Sequence, residues 1–147
     1  MIRTIAIFAL CIAYVQARNT SFTNCSPNGK IYNVNVVPCD TDPCKIQSGE
    51  VVSITGSFVS SIAASSPLLT AEARIGNTWI QYPGIDTDGC KYFNCPLEVD
   101  VVYPYGISLE VIDFPQSIDT VFRFRLLSND GSTLLVCGET PITVIAA

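Results

Sequence analysis

Two pairs of carboxylates are the residues whose spacing could support acid–base chemistry. Asp86 and Asp88 form one pair, Glu98 and Asp100 form the other, and on a strand each pair would share one face. A hydrolytic acid and base need a fixed separation and one carboxyl whose pKa is raised by burial. Asp86 and Asp88 instead lie in a turn-rich segment, where aspartate commonly stabilises turns. We therefore predict no catalytic residues and no enzymatic activity.

Histidine is absent from the sequence. Its absence excludes Ser-His-Asp and Cys-His mechanisms, histidine metal ligands and a histidine switch between neutral and endosomal pH. The formal net charge is −5, and the lysines and arginines are scattered, so nucleic acid is not an expected partner. Hydrophobic residues make up 48% of the chain and charged residues only 14%, so a large apolar surface must be covered.

The first 17 residues have the features of a secretory signal peptide. Arg3 supplies a positive charge, an apolar stretch runs from residue 5 to residue 15, and Ala17 is a small residue suited to cleavage. A membrane anchor is the alternative, but the apolar run is shorter than the ~20 residues that a spanning helix needs. We predict a leader at 1–17 and a single secreted domain at 18–147.

Seven cysteines occur, and Cys11 lies in the predicted leader. The other six are Cys25, Cys39, Cys44, Cys90, Cys95 and Cys137. An even number in a small secreted chain indicates disulfides. The two closely spaced pairs suggest short local loops and leave Cys25 to reach Cys137, although spacing alone does not choose among the pairings. Zinc is the competing interpretation; the oxidising compartment argues against it, and we predict no metal site.

Two Asn-x-Ser/Thr motifs, beginning at Asn19 and Asn24, are candidate N-glycosylation sites. Asn19 is close to the predicted mature terminus. Asn24 adjoins Cys25, where a disulfide would hinder modification. The alternative, that neither asparagine carries a glycan, stays open.

Apolar and polar residues alternate with a period of two over much of the chain, which is typical of β-strands. Such runs lie at 32–36, 52–58, 69–75, 105–111 and 122–126, with a last short strand at 141–145. Turn residues separate them, and no stretch shows a helical period. These short strands indicate an all-β sandwich or barrel. Its inward faces are rich in aromatics: Tyr32, Phe58, Tyr82, Tyr105, Phe114, Phe122 and Phe124. Patterning alone cannot tell a filled core from a hollow one.

Several segments around the cysteines resemble a known family. They are NCSPNGKI at 24–31, VNVVPC at 34–39, PCKI at 43–46, YPGIDTDGC at 82–90, CPL at 95–97, NDG at 129–131 and PITV at 141–144. As a set they resemble the ML lipid-recognition family, in particular its Niemann-Pick type C sterol carriers and the similar mite group-two allergens. The resemblance implies an immunoglobulin-like β-sandwich of two antiparallel sheets with an internal hydrophobic cavity. It also implies three disulfides, Cys25–Cys137, Cys39–Cys44 and Cys90–Cys95.

The resemblance also implies where lipid binds. Counted from the cysteines, the residues at the pocket mouth of the sterol carriers fall on Tyr82, Val111, Phe114 and Pro115, and a further valine falls on Val36. Strand register places Ile54, Tyr105, Leu109 and Phe124 deeper in the cavity. Where the sterol carriers commonly have Phe-Pro followed by another Pro, this chain has Tyr82-Pro83-Gly84-Ile85. The tyrosine adds a hydroxyl that needs a partner or a route to water.

The function implied by the resemblance is that of a carrier that moves a sterol between membranes or to a partner, such as a membrane sterol-transport protein. The alternative is an innate-immunity-type module that presents a fatty acid, phospholipid or microbial lipid to a receptor. A sandwich with a solid core and no ligand is the limiting case. In each case we expect a monomer without cofactor, either extracellular or in the lysosomal lumen.

Overall fold

The regular structure of this protein is almost entirely β-strand. The computed structural model describes residues 18–147, and the predicted leader at 1–17 lies outside them. The strands are β1 Arg18–Asn19, β2 Thr23–Asn24, β3 Gly29–Val37, β4 Cys44–Gln47, β5 Val51–Ser60, β6 Leu68–Ile75, β7 Thr78–Gln81, β8 Tyr103–Glu110, β9 Ile118–Leu127 and β10 Leu134–Ile145. In this part of the chain the only helical element is a 3-10 turn at Gly89–Lys91, so it contains no helix that could cross a membrane.

The strands form two sheets. Sheet A has the order β1-β3-β5-β8, and sheet B has the order β2-β10-β9-β6-β7 with β4 also paired to β10. Neighbouring strands are antiparallel except β4 and β10, which are parallel. The predicted all-β sandwich is therefore confirmed, with one parallel pair added at the margin of sheet B.

Alternating side chains from the facing sheets form the apolar interior. In β5, for example, Val52 and Ile54 are buried while Val51, Ser53 and Thr55 are exposed. The same period-two pattern in β6, β8 and β10 directs one face of each strand inward. The space between the sheets is thus surrounded by aliphatic and aromatic side chains.

A β-bulge in β3 changes which residues point inward. Tyr32 is 48% exposed, so the prediction that its ring faces inward is wrong. Ile31 pairs with Phe58 and Asn33 pairs with Ser57, which leaves Tyr32 as the extra residue of the bulge. Ile31 is buried instead.

Gly56 in β5 leaves room for Tyr105 to cross sheet A. A Cβ atom at Gly56 would lie 2.1 Å from the Asn33 carbonyl oxygen and 2.7 Å from the Tyr105 hydroxyl. Tyr105, the β8 partner of Gly56, uses this space to donate a hydrogen bond to the Asn33 carbonyl oxygen at 3.0 Å. One tyrosine side chain therefore links β8 to β3 across β5.

Three disulfides connect the chain in the implied pattern. Cys25 pairs with Cys137, Cys39 with Cys44, and Cys90 with Cys95, which confirms the pairing. The first joins residues 112 positions apart and so connects the start of the domain to β10. The second closes the loop by which the chain passes from β3 in sheet A to β4 in sheet B.

Candidate functional site

An apolar cavity of about 110 Å³ lies between the two sheets. Its lining comes from the inward faces of both sheets, together with residues from the loops at their ends. Eight of the nine sequence-predicted lipid contacts lie on this lining, and Pro115 does not. That these residues contact lipid stays a prediction.

Sheet A contributes four of the predicted residues through three neighbouring strands. Val36 of β3 pairs with Ile54 of β5, and both side chains are buried. Tyr105 and Leu109 of β8 are four residues apart and lie on the same inward face. Because β3, β5 and β8 are adjacent, their side chains form one continuous apolar surface.

Sheet B contributes an aromatic surface on the opposite side. Phe122 and Phe124 alternate along β9, and their ring centroids are 5.3 Å apart. The Tyr82 ring contacts Phe122 edge-on, with centroids 5.0 Å apart and an interplanar angle of 66°. Edge contacts of this kind stabilise aromatic clusters beyond simple burial. Both sheets thus contribute aliphatic and aromatic side chains to the cavity lining.

Val111 and Phe114 approach the cavity from the chain that follows β8. Val111 is buried, Phe114 is half-buried, and both belong to the lining. Pro115 is exposed and lies outside the lining, and its contact with lipid at the pocket mouth stays a prediction. The Phe114 N–H donates to the Ser48 hydroxyl at 3.2 Å, which attaches the Phe114 backbone to the turn between β4 and β5.

The hydroxyl groups of the lining are hydrogen-bonded to the protein itself. Tyr82 donates to the Glu110 carbonyl oxygen at 2.7 Å and accepts from the Ile112 N–H at 2.9 Å. Thr120 and Thr140 donate to the carbonyl oxygens of Arg74 and Ser21. Because these groups already have partners, the cavity presents carbon surface to a ligand.

Burial raises the pKa of Tyr82 and Tyr105, two of the three tyrosines on the lining. It raises the pKa of Tyr105 to about 12. It also raises the pKa of Tyr82, while the hydrogen bond from Ile112 opposes that change in part. Both phenols are therefore neutral at physiological pH, and neither adds charge to the cavity.

Several lining residues were not found from the sequence. Phe93 packs edge-on against Phe58 with centroids 5.1 Å apart, and it lies in the short loop between Cys90 and Cys95. Phe22 and Ile46 also belong to the lining, but neither is part of a long alternating run. The sequence feature that could have indicated Phe93 is an aromatic residue between two closely spaced cysteines. The Cys90–Cys95 disulfide closes the loop that places its ring against Phe58.

The carboxylate pairs have local structural roles. Asp86 accepts from the Asp88 N–H at 2.9 Å, and Asp88 accepts from the Cys90 N–H at 3.0 Å. The hydrogen bond from Lys91 holds the pKa of Asp86 below its usual range. Neither aspartate lines the cavity, and residues 18–147 hold no group of three or more His, Cys, Asp or Glu side chains arranged for a metal ion.

The two glycosylation motifs differ in how their asparagines are placed. Asn19 is an exposed residue of β1 at the edge of sheet A. The Asn24 side chain accepts from the Ile31 N–H at 2.8 Å and donates to the Ile31 carbonyl oxygen at 3.3 Å. Modification of either asparagine stays a prediction, and Asn19 is the one whose position leaves more room for a glycan.

An apolar cavity between the sheets of a β-sandwich, with its hydroxyls bonded to the protein itself, is the arrangement of a lipid-binding protein. The chain belongs to the ML domain family, whose family model matches residues 19–144. Membership of this family makes it a lipid-binding protein without a cofactor, and not an enzyme.

Relatives extend over nearly the whole chain. The NPC intracellular cholesterol transporter 2 of Mus musculus is 34% identical over 143 residues, which cover 96% of this chain and 95% of that protein. The mite group 2 allergen Lep d 2 of Lepidoglyphus destructor is 31% identical over 107 residues, or 70% of this chain and 74% of the allergen. The crystal structure of a Niemann-Pick type C2 protein from Japanese carpenter ant superposes with a TM-score of 0.74 at 19% identity, covering 84% of this chain and 98% of the other. That structure supports the fold alone.

Proposed function

We propose that this protein carries a sterol in the cavity between its sheets and transfers it between membranes or to a membrane sterol-transport protein. The observation that carries the proposal is the lining itself, which is apolar and whose hydroxyls are bonded to the protein. The similarity to a cholesterol transporter over nearly the full chain supports a sterol as the cargo.

Burial of the ligand supplies the binding free energy. A sterol buries on the order of 500 Å² of apolar surface, worth about 12 kcal/mol before costs. Association removes several kcal/mol of this through lost translation and rotation. The cavity of about 110 Å³ is smaller than the ~300–1,000 Å³ typical of ligand pockets. The sheets therefore have to move apart to admit a sterol, and that work lowers the net affinity further.

The proposed setting is the extracellular space or the lysosomal lumen, with the protein acting as a monomer. The predicted leader and three disulfides support an oxidising compartment. Transfer requires a membrane surface or a membrane sterol-transport protein as donor or acceptor. The two candidate glycosylation sites are compatible with this route.

A second candidate is an innate-immunity-type module that presents another lipid to a receptor. The size of the cavity favours it, because a single acyl chain is thinner than a sterol and requires less separation of the sheets. The similarity to a mite group 2 allergen is in keeping with a cargo other than sterol.

Mass spectrometry of the secreted protein under native conditions, followed by extraction of its lipid, distinguishes the candidates. A stoichiometric sterol supports the sterol carrier. A fatty acid or phospholipid supports the second candidate. A protein that arrives empty and also fails to bind added dehydroergosterol or cis-parinaric acid contradicts both.

A further inference from the structure

Tyr82 joins the two sheets at one end of the cavity. It follows β7, the edge strand of sheet B, and its N–H donates to the Ala71 carbonyl oxygen of β6 at 2.7 Å. Its hydroxyl crosses to sheet A, where it bonds the Glu110 carbonyl oxygen and the Ile112 N–H. Glu110 ends β8, the edge strand of sheet A. A single side chain therefore connects two sheet edges.

The chain that Tyr82 holds, residues 110–114, also carries two cavity residues, Val111 and Phe114. On its other side this 110–114 segment is attached to the turn between β4 and β5. The Gly49 N–H donates to the Val111 carbonyl oxygen at 2.7 Å, and the Val111 N–H donates to the Glu50 carbonyl oxygen at 2.8 Å. The bond from Phe114 to Ser48 adds a third connection.

The two attachments differ in how they can open. The turn holds the 110–114 segment by three hydrogen bonds, two of them between backbone groups. The Tyr82 side has two hydrogen bonds that meet at one oxygen atom. Rotation of one side chain breaks both at once, so separation of the sheets is easier on the Tyr82 side.

We infer that the Tyr82 hydroxyl is a positioning group that holds the 110–114 segment against sheet B and thereby controls how fast lipid enters and leaves the cavity. This inference rests on the lipid binding proposed above. The hydroxyl acts through Val111 and Phe114, which it keeps over the end of the cavity. The ring of Tyr82, by contrast, forms part of the lining and contributes to affinity.

The effect on the rates of lipid uptake and release depends on the states in which the two hydrogen bonds of the Tyr82 hydroxyl are formed. These bonds are present in the closed protein without lipid. On this inference they form again once lipid is inside, with the cavity widening away from Tyr82, and they are absent while the 110–114 segment is displaced for passage. Removing the hydroxyl therefore destabilises both closed states equally and leaves the open state unchanged. Association and dissociation rates both rise, and the equilibrium affinity stays the same.

Tyr82→Phe is the test, because it removes the hydroxyl and keeps the ring. Dehydroergosterol and cis-parinaric acid serve as fluorescent probes, with uptake and release followed by stopped flow. We expect about tenfold faster uptake and release, equivalent to ~1.4 kcal/mol of barrier, with an affinity within about threefold of wild type.

Tyr103→Phe is the matched control. The Tyr103 hydroxyl donates to the Pro96 carbonyl oxygen at 3.0 Å and accepts from the Glu98 N–H at 2.8 Å. It thus bonds two backbone groups two residues apart, as Tyr82 does, but it lies at the other end of β8 and outside the lining. A general loss of stability affects both variants, whereas control of lipid passage is specific to Tyr82.

The outcomes separate this inference from the proposed function. Faster uptake and release in Tyr82→Phe, with wild-type rates in Tyr103→Phe, support it. Wild-type rates in Tyr82→Phe, equal acceleration in both variants, or a change in affinity without faster release overturn it while leaving lipid binding intact. Failure of the wild-type protein to bind either probe overturns the proposed function, and this inference with it.

Discussion

Phe114 is the predicted lipid contact whose side chain can be shortened at least cost to the core. It is half-buried and belongs to a loop rather than to a strand. The neighbouring Ile112 is 41% exposed and lies outside the lining. These two residues therefore face opposite sides of the same short segment.

For Phe114→Ala we expect the affinity for dehydroergosterol to fall about tenfold, because the ligand loses apolar burial worth roughly 1.5 kcal/mol. Fluorescence titration measures the affinity, and a denaturant curve checks that the variant is folded. Ile112→Ala is the control and should bind as wild type does. Equal affinities of the wild type and both variants would show that Phe114 does not contact the ligand.

The limits of sequence reasoning are clear at single residues. The family resemblance, counted from the cysteines, pointed to Tyr82, Val111 and Phe114, and all three lie on the cavity lining. The resemblance could not identify the partners of the Tyr82 hydroxyl, because these are backbone groups that any residue type provides. Nor does position relative to a cysteine show where a loop turns outward, as it does at the exposed Pro115.

At the scale of the strand, the bulge in β3 was invisible to pattern analysis. A two-residue alternation assigned Tyr32, Val34 and Val36 to one face, whereas one extra residue at position 32 reverses the face for the first of them. The alternation continues through β5 and β9, and there the inward residues were predicted correctly. In β6 it holds for Leu69, Ala71 and Ala73 but fails at the last residue, because Ile75 is 42% exposed.

Gly56→Ala tests the close approach of β3 and β5 beside this bulge. Its methyl group would overlap the Asn33 carbonyl oxygen and the Tyr105 hydroxyl, so we expect a loss of about 3 kcal/mol or more in the free energy of unfolding. The control is Gly106→Ala in β8, where the nearest atom is 4.0 Å from the added carbon. In urea denaturation, the free energy of unfolding of Gly106→Ala should equal that of the wild type or be slightly higher. Similar losses in both variants would contradict the steric explanation.

The outer face of sheet B carries an ion-pair network centred on Glu72. Its carboxylate bonds Arg123 at 2.9 Å and Arg125 at 3.1 Å, and the Arg123 guanidinium lies 3.9 Å from the centre of the Trp79 ring. Burial raises the pKa of Glu72, but the bonds and charges of the two arginines outweigh it and hold the pKa below its usual value.

This shift gives the protein an acid-sensitive contribution to stability. A carboxyl with a lowered folded-state pKa stabilises the fold above the pKa of the unfolded chain and loses this effect as pH falls through the folded value. Between pH 5 and pH 3 we expect the free energy of unfolding of the wild type to fall more steeply than that of Glu72→Gln. At pH 7 the variant should be less stable than the wild type by ~1 kcal/mol. Urea denaturation at several pH values measures this. Glu98→Gln, which removes an exposed carboxylate, is the control for the loss of one negative charge. Parallel curves for wild type and Glu72→Gln would refute the assignment.

The disulfides of this protein close loops of very different length. Cys25–Cys137 closes a loop across 112 positions, whereas Cys39–Cys44 spans 5. In the chain-entropy model these contribute about 5 and about 2 kcal/mol respectively. Strand alternation indicated a sandwich or barrel, and the resemblance to the ML family implied the two sheets, the internal cavity and the cysteine pairing. Alternation alone could not show the hollow interior, because it is the same around a filled core.

Replacement of Cys25 and Cys137 together by alanine should lower the free energy of unfolding by about 5 kcal/mol, and replacement of Cys39 and Cys44 by about 2 kcal/mol. Guanidinium denaturation of both double variants provides the comparison. If the short bridge proves as costly to remove as the long one, the effect originates in the packing of the folded state and not in the loop entropy of the unfolded chain.

The self-contained hydrogen bonding of the cavity hydroxyls has a consequence for selectivity. A lining that offers no free donor or acceptor ranks molecules by thickness, length and flexibility, and it gives no preference to any particular head group. The load of the proposed carrier would then follow the abundance of suitable molecules in the bilayer from which it takes lipid. The lipids extracted from the protein would then serve as a chemical record of that bilayer, and the record would change with the tissue or diet from which the protein is taken.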